Sequence, residues 1–195
     1  MKLPLHCLIT LAALSLWSCT GIDGEYTSSA DFEEGVPGGK FSETTTITAT
    51  VTGIDAETRK ITFVTPKGRK FTSTAGPEVL NFDQIRLGDQ LTATLTDEVV
   101  IRMARPDERV EEFLELDADL AKAGDKPGME TVTTSQMVAT ITSLSTRQRK
   151  VTLAFPDGDT QRVKVRPDVH LDQFQKGDRV VIQLTEIFAI SLKKP

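Results

Sequence analysis

The stretch "GPEVLNFDQIRLGDQL", residues 76–91, returns in altered form as "RPDVHLDQFQKGDRVV", residues 166–181. Working outward from this phrase, adding ninety to the residue number pairs Pro37 with Pro127, Thr50 with Thr140, Lys60 with Lys150, Pro66 with Pro156, Gly68 with Gly158 and Pro77 with Pro167. After Val79 and Val169 the first copy carries one extra residue. The match then resumes, with Asp83 and Gln84 against Asp172 and Gln173, Gly88-Asp89 against Gly177-Asp178, and Thr96 against Thr185. The chain is an internal duplication of a unit of roughly 60 residues, near the lower limit at which one core sustains a domain.

Each copy shows the period-two alternation of half-buried strands. Ile47, Ala49 and Val51 alternate with Thr46, Thr48, Thr50 and Thr52; Met137, Ala139 and Ile141 do the same in the second copy. Parity breaks near Gly53 and Ser143, which predicts a bulge that bends the strand. Hairpin turns are expected at residues 55–59 and 145–149, and at Pro66-Lys67-Gly68 and Pro156-Asp157-Gly158. In the repeated phrase, Phe82 with Ile85, and Leu171 with Phe174, sit three apart as the buried side of one helical turn. Gly88 and Gly177 supply positive φ before a turn-stabilising aspartate. The phrase therefore builds a corner. Fourth strands follow at Leu91, Ala93, Leu95 and Val180, Ile182, Leu184, and fifth strands at Val99, Ile101, Met103 and Phe188, Ile190, Leu192.

The expected fold is all-β: two tandem five-stranded small antiparallel barrels, similar in strand count to the oligonucleotide/oligosaccharide-binding (OB) type, at residues 44–105 and 130–195. Between them, at 106–129, the spacing of Val110, Phe113, Leu114, Leu120 and Ala121 among many acids predicts a short acidic helix, stopped at Gly124, and a linker.

The first residues, MKLPLHCLITLAALSLWSCTG, have a basic residue, an apolar run too short to span a bilayer, and small residues at a cysteine. Residues 1–18 read as an export signal. Leu16-Trp17-Ser18-Cys19 resembles the lipobox of bacterial lipoproteins, with Trp17 where a smaller residue is usual. The resemblance implies cleavage before Cys19, lipid attachment there, and a loose tether over residues 19–43. It places the chain in the cell envelope on the periplasmic side, and Thr20 after the cysteine favours the outer membrane. Cys7 falls within the signal, so the mature chain has no partner for a disulfide.

Charge is uneven although the net is −5: residues 20–39 hold five acids and no base, residues 106–125 eight acids against Arg109 and Lys122, and residues 126–195 eleven bases against seven acids. Arg162, Lys164 and Arg166, with Arg147 and Arg149 in the preceding hairpin, form the one candidate surface for an anionic partner: phosphate-bearing lipid headgroups, an anionic glycan, an envelope protein, or the chain's own acidic segment. Export and a net acidic chain argue against nucleic acid.

No chemistry-bearing constellation is present. His170 is the one histidine after the signal, so neither a Ser/His/Asp nor a Cys/His set can be assembled, and no phosphate-binding glycine pattern occurs. The pairs Asp157/Asp159 and Asp117/Asp119 lack the length and terminal Glu of a calcium loop. No catalytic, cofactor-binding or metal residue is assigned, and no cofactor is expected.

The elements Gly76-Pro77-Glu78-Val79, residues 81–85 and Gly88-Asp89 resemble a GPEV-x-NFDQI-x-x-GD signature of exported bacterial proteins; this implies secretion and a β-rich domain, and no activity. A more distant similarity is to periplasmic copper-chaperone barrels, whose Met, His and Trp ligands have no counterpart set here: Trp17 lies in the signal, and Met103, Met129 and Met137 fall at core or linker positions. The expected function is a non-enzymatic envelope lipoprotein, a binding or scaffolding module for an envelope partner. The alternatives are a metal or small-ligand carrier and an envelope hydrolase.

Overall fold

The computed structural model describes residues 24–77, 79–122 and 124–195; the expected signal, Cys7 and Cys19 lie outside the described residues. In chain order the strands are β1 (Glu25–Asp31), β2 (Gly39–Asp55), β3 (Lys60–Val64), β4 (Lys70–Thr74), β5 (Gln90–Met103), β6 (Phe113–Leu120), β7 (Gly128–Ser145), β8 (Lys150–Ala154), β9 (Thr160–Lys164) and β10 (Arg179–Lys193). All ten join one antiparallel sheet, ordered β4-β3-β2-β5-β10-β7-β8-β9, with β1 beside β2 and β6 beside β7.

The local signals act as expected. Register shifts between Val51 and Gly53, and between Ile141 and Ser143, mark the two bulges. Phe82–Gln84 and Leu171–Gln173 form single 3-10 turns, with Phe82 and Leu171 buried. The glycines after them, Gly88 and Gly177, have φ of 90° and 100°. There each chain reverses onto its own bulged strand: Val51 N–H donates to Asp89 O (2.9 Å) and Ile141 N–H to Asp178 O (2.8 Å).

Three expectations are corrected. The acidic segment is not a helix but β6, paired with β7 from Phe113↔Gln136 to Leu120↔Met129. The expected tether contains β1, paired with β2 in the same way. Because Thr27 faces Thr44 and Glu115 faces Thr134, its partner ninety residues on, β6 is the counterpart of β1 and each repeat is one strand longer than its sequence match. Third, the expected fourth and fifth strands are one continuous strand in each copy, β5 and β10, and the sheet is not closed.

The length of these strands couples the copies. β5 and β10 pair antiparallel from Gln90↔Lys193 to Met103↔Val180. The near half of each strand packs on its own copy and the far half on the other. Ala49, Val51, Ile61, Phe63, Phe82, Ile85 and Leu91 of the first copy share a core with Leu192 and Ile190 of the second. Ala139, Ile141, Val151, Leu153, Phe155, Leu171, Val180 and Ile182 share theirs with Val99, Ile101 and Met103 of the first. Since β10 is not a neighbour of β3 or β4 in the sheet, Ile190 reaches the core of Ile61 and Phe63 only because the sheet curls at that end. Two lobes result, on one face of one sheet. A fully buried Val, Leu, Ile or Phe contributes roughly 1.5–3 kcal/mol; of the exchanged residues Leu192 is buried, while Ile190, Val99, Ile101 and Met103 are half-buried and contribute part of that each.

Between the lobes, Asp97 stands directly opposite Glu186, its own counterpart in the repeat, and next to Glu43 across the β2–β5 ladder. Partial burial and then the Glu186 and Glu43 charges raise the Asp97 pKa above its ordinary 3.8.

Two outcomes follow from this wiring. Leu192→Ala, a change in the second copy, removes packing from the first lobe and costs about 2–5 kcal/mol; urea denaturation followed through both lobes is expected to stay a single transition with a lower midpoint. Asp97→Asn is expected to be more stable than wild type at pH 7. A carboxyl with a raised folded pKa favours the fold when protonated and loses that contribution as pH rises through the folded value. The advantage of the variant should therefore shrink as pH falls towards 3.8, read as the difference between urea midpoints at each pH.

Candidate ligand pocket in the first lobe

The first lobe encloses a cavity of about 380 Å³, open at one side. Its walls come from both copies: Ile61, Phe63 and Phe71 of β3 and β4, Ala93 of β5, and Phe188 and Ile190 of β10. Among the described residues Ser73, Thr74 and Asn81 bring polar side chains to it, and Leu80 at the rim is 82% exposed. A concave, largely apolar cavity with few polar groups is the usual form of a small-ligand site.

The space has a local cause in the residues that differ between the copies. At positions related by the repeat, Ser73, Ala75, Gly76 and Ala93 of the first lobe correspond to Val163, Val165, Arg166 and Ile182 of the second. Beside the second lobe, Phe32, in the connection from β1 to β2, packs edge-on against Phe41 with centroids 5.2 Å apart while remaining 46% exposed. Gly39 is required beneath it, since a Cβ there would lie 2.6 Å from the Phe32 ring. Arg166 closes this arrangement from above, its guanidinium 4.3 Å from the Phe32 centroid.

Arg166 also donates to the carbonyls of Gly38 (2.8 Å), Glu33 (3.0 Å) and Val36 (2.9 Å) and to Asp168 Oδ2 (2.9 Å). Gly35 N–H donates to the same carboxylate at 3.0 Å. The Arg166 hydrogen bond, and then the Gly35 amide, hold the Asp168 carboxyl well below the usual carboxylate range.

Over the first lobe the matching connection, from β6 to β7, forms a strap beside the pocket. Asn81 Nδ2 donates to Lys122 O (2.8 Å), and Lys126 Nζ reaches Gln84 O (2.7 Å) and Asp89 Oδ2 (2.5 Å). Asp89 is 1% exposed and the Lys126 side chain 17%. Asp89 also accepts the Arg86 N–H at 2.8 Å, so the aspartate read from sequence as a turn residue is in addition the buried anchor of the strap.

The basic surface expected from sequence divides. Arg149 is turned inward, donating to the carbonyls of Arg166 and Val169, and its counterpart Arg59 does the same to Ala75, Gly76 and Val79. Both arginines have φ of 51°, a left-handed conformation that these bonds hold at the end of a hairpin. Arg149 and Arg166 are thus structural. Arg147, Arg162 and Lys164 are exposed, and Lys150 lies directly opposite Lys164. His170 is exposed at the start of a 3-10 turn. Among the described residues no group of three or more His, Cys, Asp or Glu is placed to hold a metal ion. The sequence carried no sign of the pocket: it depends on the pairing of the two copies and on small residues that resemble ordinary strand positions.

Fold and cavity together describe an all-β protein with a largely apolar pocket in the first lobe of its sheet. No family model matches the chain, and no curated protein matches it.

Removing the cation of the strap tests its role. Lys126→Met leaves Asp89 buried without its counter-charge and should cost about 3–5 kcal/mol, measured by urea denaturation, with faster amide exchange across residues 121–127 and 84–89.

Proposed function

We propose that the chain is a non-enzymatic binding module of the bacterial cell envelope, held at a membrane through a lipid on Cys19, whose first lobe receives an apolar ligand such as an acyl or isoprenoid chain. The observation that carries this reading is the cavity of about 380 Å³ with its apolar walls, present in the lobe where small residues replace the larger ones of the other copy. On this reading each lobe is an OB-like barrel left open along one seam, the second filled by Val163, Val165 and Ile182, the first kept open for binding. The export signal and the cysteine motif support a periplasmic placement at the outer membrane.

The pocket reading is tested with a fluorescent fatty acid, cis-parinaric acid. Saturable binding to the purified protein is expected. The double variant Ser73→Val/Ala93→Ile writes the residues of the second lobe into the first, and should weaken binding by about tenfold or more, equivalent to about 1.4 kcal/mol, without lowering the unfolding midpoint. Absence of saturable binding by the wild-type protein, or equal binding by the variant, overturns the reading.

A further inference from the structure

Among the described residues β6 carries the largest run of exposed apolar side chains. All eight of its residues are exposed, with Leu114 at 70%, Leu116 at 68% and Leu120 at 57%. One long side of the strand pairs with β7 and the other pairs with nothing among the described residues. The chain cannot close this edge upon its own first lobe in the antiparallel manner. Every neighbouring pair along β4-β3-β2-β5-β10-β7-β6 is antiparallel, and an even number of reversals leaves β4 and β6 running in the same direction.

The two faces of β6 differ in chemistry. Leu114, Leu116, Ala118 and Leu120 share the face of the lobes, while Glu115, Asp117 and Asp119 share the other, and among the described residues these three carboxylates form no ion pair. The fold does not demand this pattern, because the counterpart strand β1 has Thr27, Ser28 and Ser29 where β6 has Glu115, Leu116 and Asp117. An apolar free edge is ordinarily a liability that proteins blunt with charge or bulges. Here charge also selects. A second β6 added antiparallel would bring Glu115, Asp117 and Asp119 against the same carboxylates of its partner, and like charges on opposed strands are destabilising.

We propose that β6 is a docking edge for an extended segment of a protein partner in which basic and apolar residues alternate, added antiparallel to β6. Main-chain hydrogen bonds along the free edge supply the binding, and the alternation supplies the selection. Basic side chains lie across from Glu115, Asp117 and Asp119, and apolar ones across from Leu114 and Leu116. The C-terminal end of such a segment runs on past Phe113 into a shallow groove of about 400 Å³, lined by Glu112, Phe113, Leu114, Phe155, Pro156 and Asp157. Its acidic rim repeats the preference. This edge meets the pocket of the first lobe at Leu120, and the contacts at Leu114 to Asp119 are separate from it.

The test uses a labelled eight-residue peptide of alternating lysine and valine, a glutamate/valine counterpart, and the full mature chain. The lysine peptide is expected to bind in a salt-sensitive manner by fluorescence anisotropy and to protect amides of residues 113–120 from hydrogen exchange. Glu115→Lys/Asp117→Lys/Asp119→Lys should weaken it by about tenfold or more and confer binding of the glutamate peptide. Leu116→Thr, an exposed change to the kind of residue β1 carries, should weaken the lysine peptide while leaving the unfolding midpoint in place. Equal binding of the lysine peptide to wild type and the triple-lysine variant overturns the proposal, as does protection appearing at β1, β4 or β9 in place of β6. A peptide-free chain that sediments as a dimer with β6 already protected assigns the edge to a second copy and likewise overturns it.

Discussion

The ladder between β5 and β10 is the constraint on which the other features rest. A repeat of this size is near the limit of what a single core can hold, and in this chain neither copy holds its core unaided. β5 supplies Leu91 to the first core and Val99, Ile101 and Met103 to the second, while β10 supplies Val180 and Ile182 to the second and Ile190 and Leu192 to the first. The antiparallel register sets both contributions at once. It also sets three carboxylates side by side at the centre, Glu43, Asp97 and Glu186, where partial burial and its two neighbours raise the pKa of Asp97.

Divergence between the lobes shows what a duplicated frame permits. Both keep the bulge, the hairpin arginine and the corner, because these fix the backbone. They differ in what fills the space beneath the connecting strap. Val163, Val165 and Ile182 take up the space within the second lobe, and Arg166 clamps the β1–β2 connection over Phe32. In the first, Leu120 stands where Phe32 would, Gly76 where Arg166 would, and the strap is held from the outside by Asn81 and Lys126. One copy fills its core with larger side chains, and the other gives up packing for a cavity.

Local features were legible in the sequence and pairings between distant segments were not. Turns, bulges and the corner follow from backbone preferences of particular residues, so Gly88, Gly177, Phe82 and Leu171 could be placed from the chain alone. The acidic segment was misread because Phe113, Leu114, Leu120 and Ala121 fit a helical spacing. The alternation of Leu114, Leu116, Ala118 and Leu120 with Glu115, Asp117 and Asp119 was the better signal. Similarly, Thr96-Asp97-Glu98 resembles a turn between two strands, yet Leu91, Ala93, Leu95, Val99, Ile101 and Met103 keep one parity throughout, as a continuous strand must. Arg149 and Arg166 were read as surface cations because nothing local reveals that a guanidinium will serve backbone carbonyls. The pocket was invisible for the same reason as the exchange of strand halves: both depend on register between the copies.

The exchange also fixes an order of assembly. The core of the N-terminal lobe includes Ile190 and Leu192, at the very end of the chain, whereas the core of the C-terminal lobe draws on β5, made much earlier. The first lobe is therefore incomplete until β10, the last of the ten strands described, has paired. Its closing contacts join residues separated by most of the sequence, and contacts of such high separation form slowly. Until Ile190 and Leu192 dock, the first lobe lacks the part of its core that the second copy supplies.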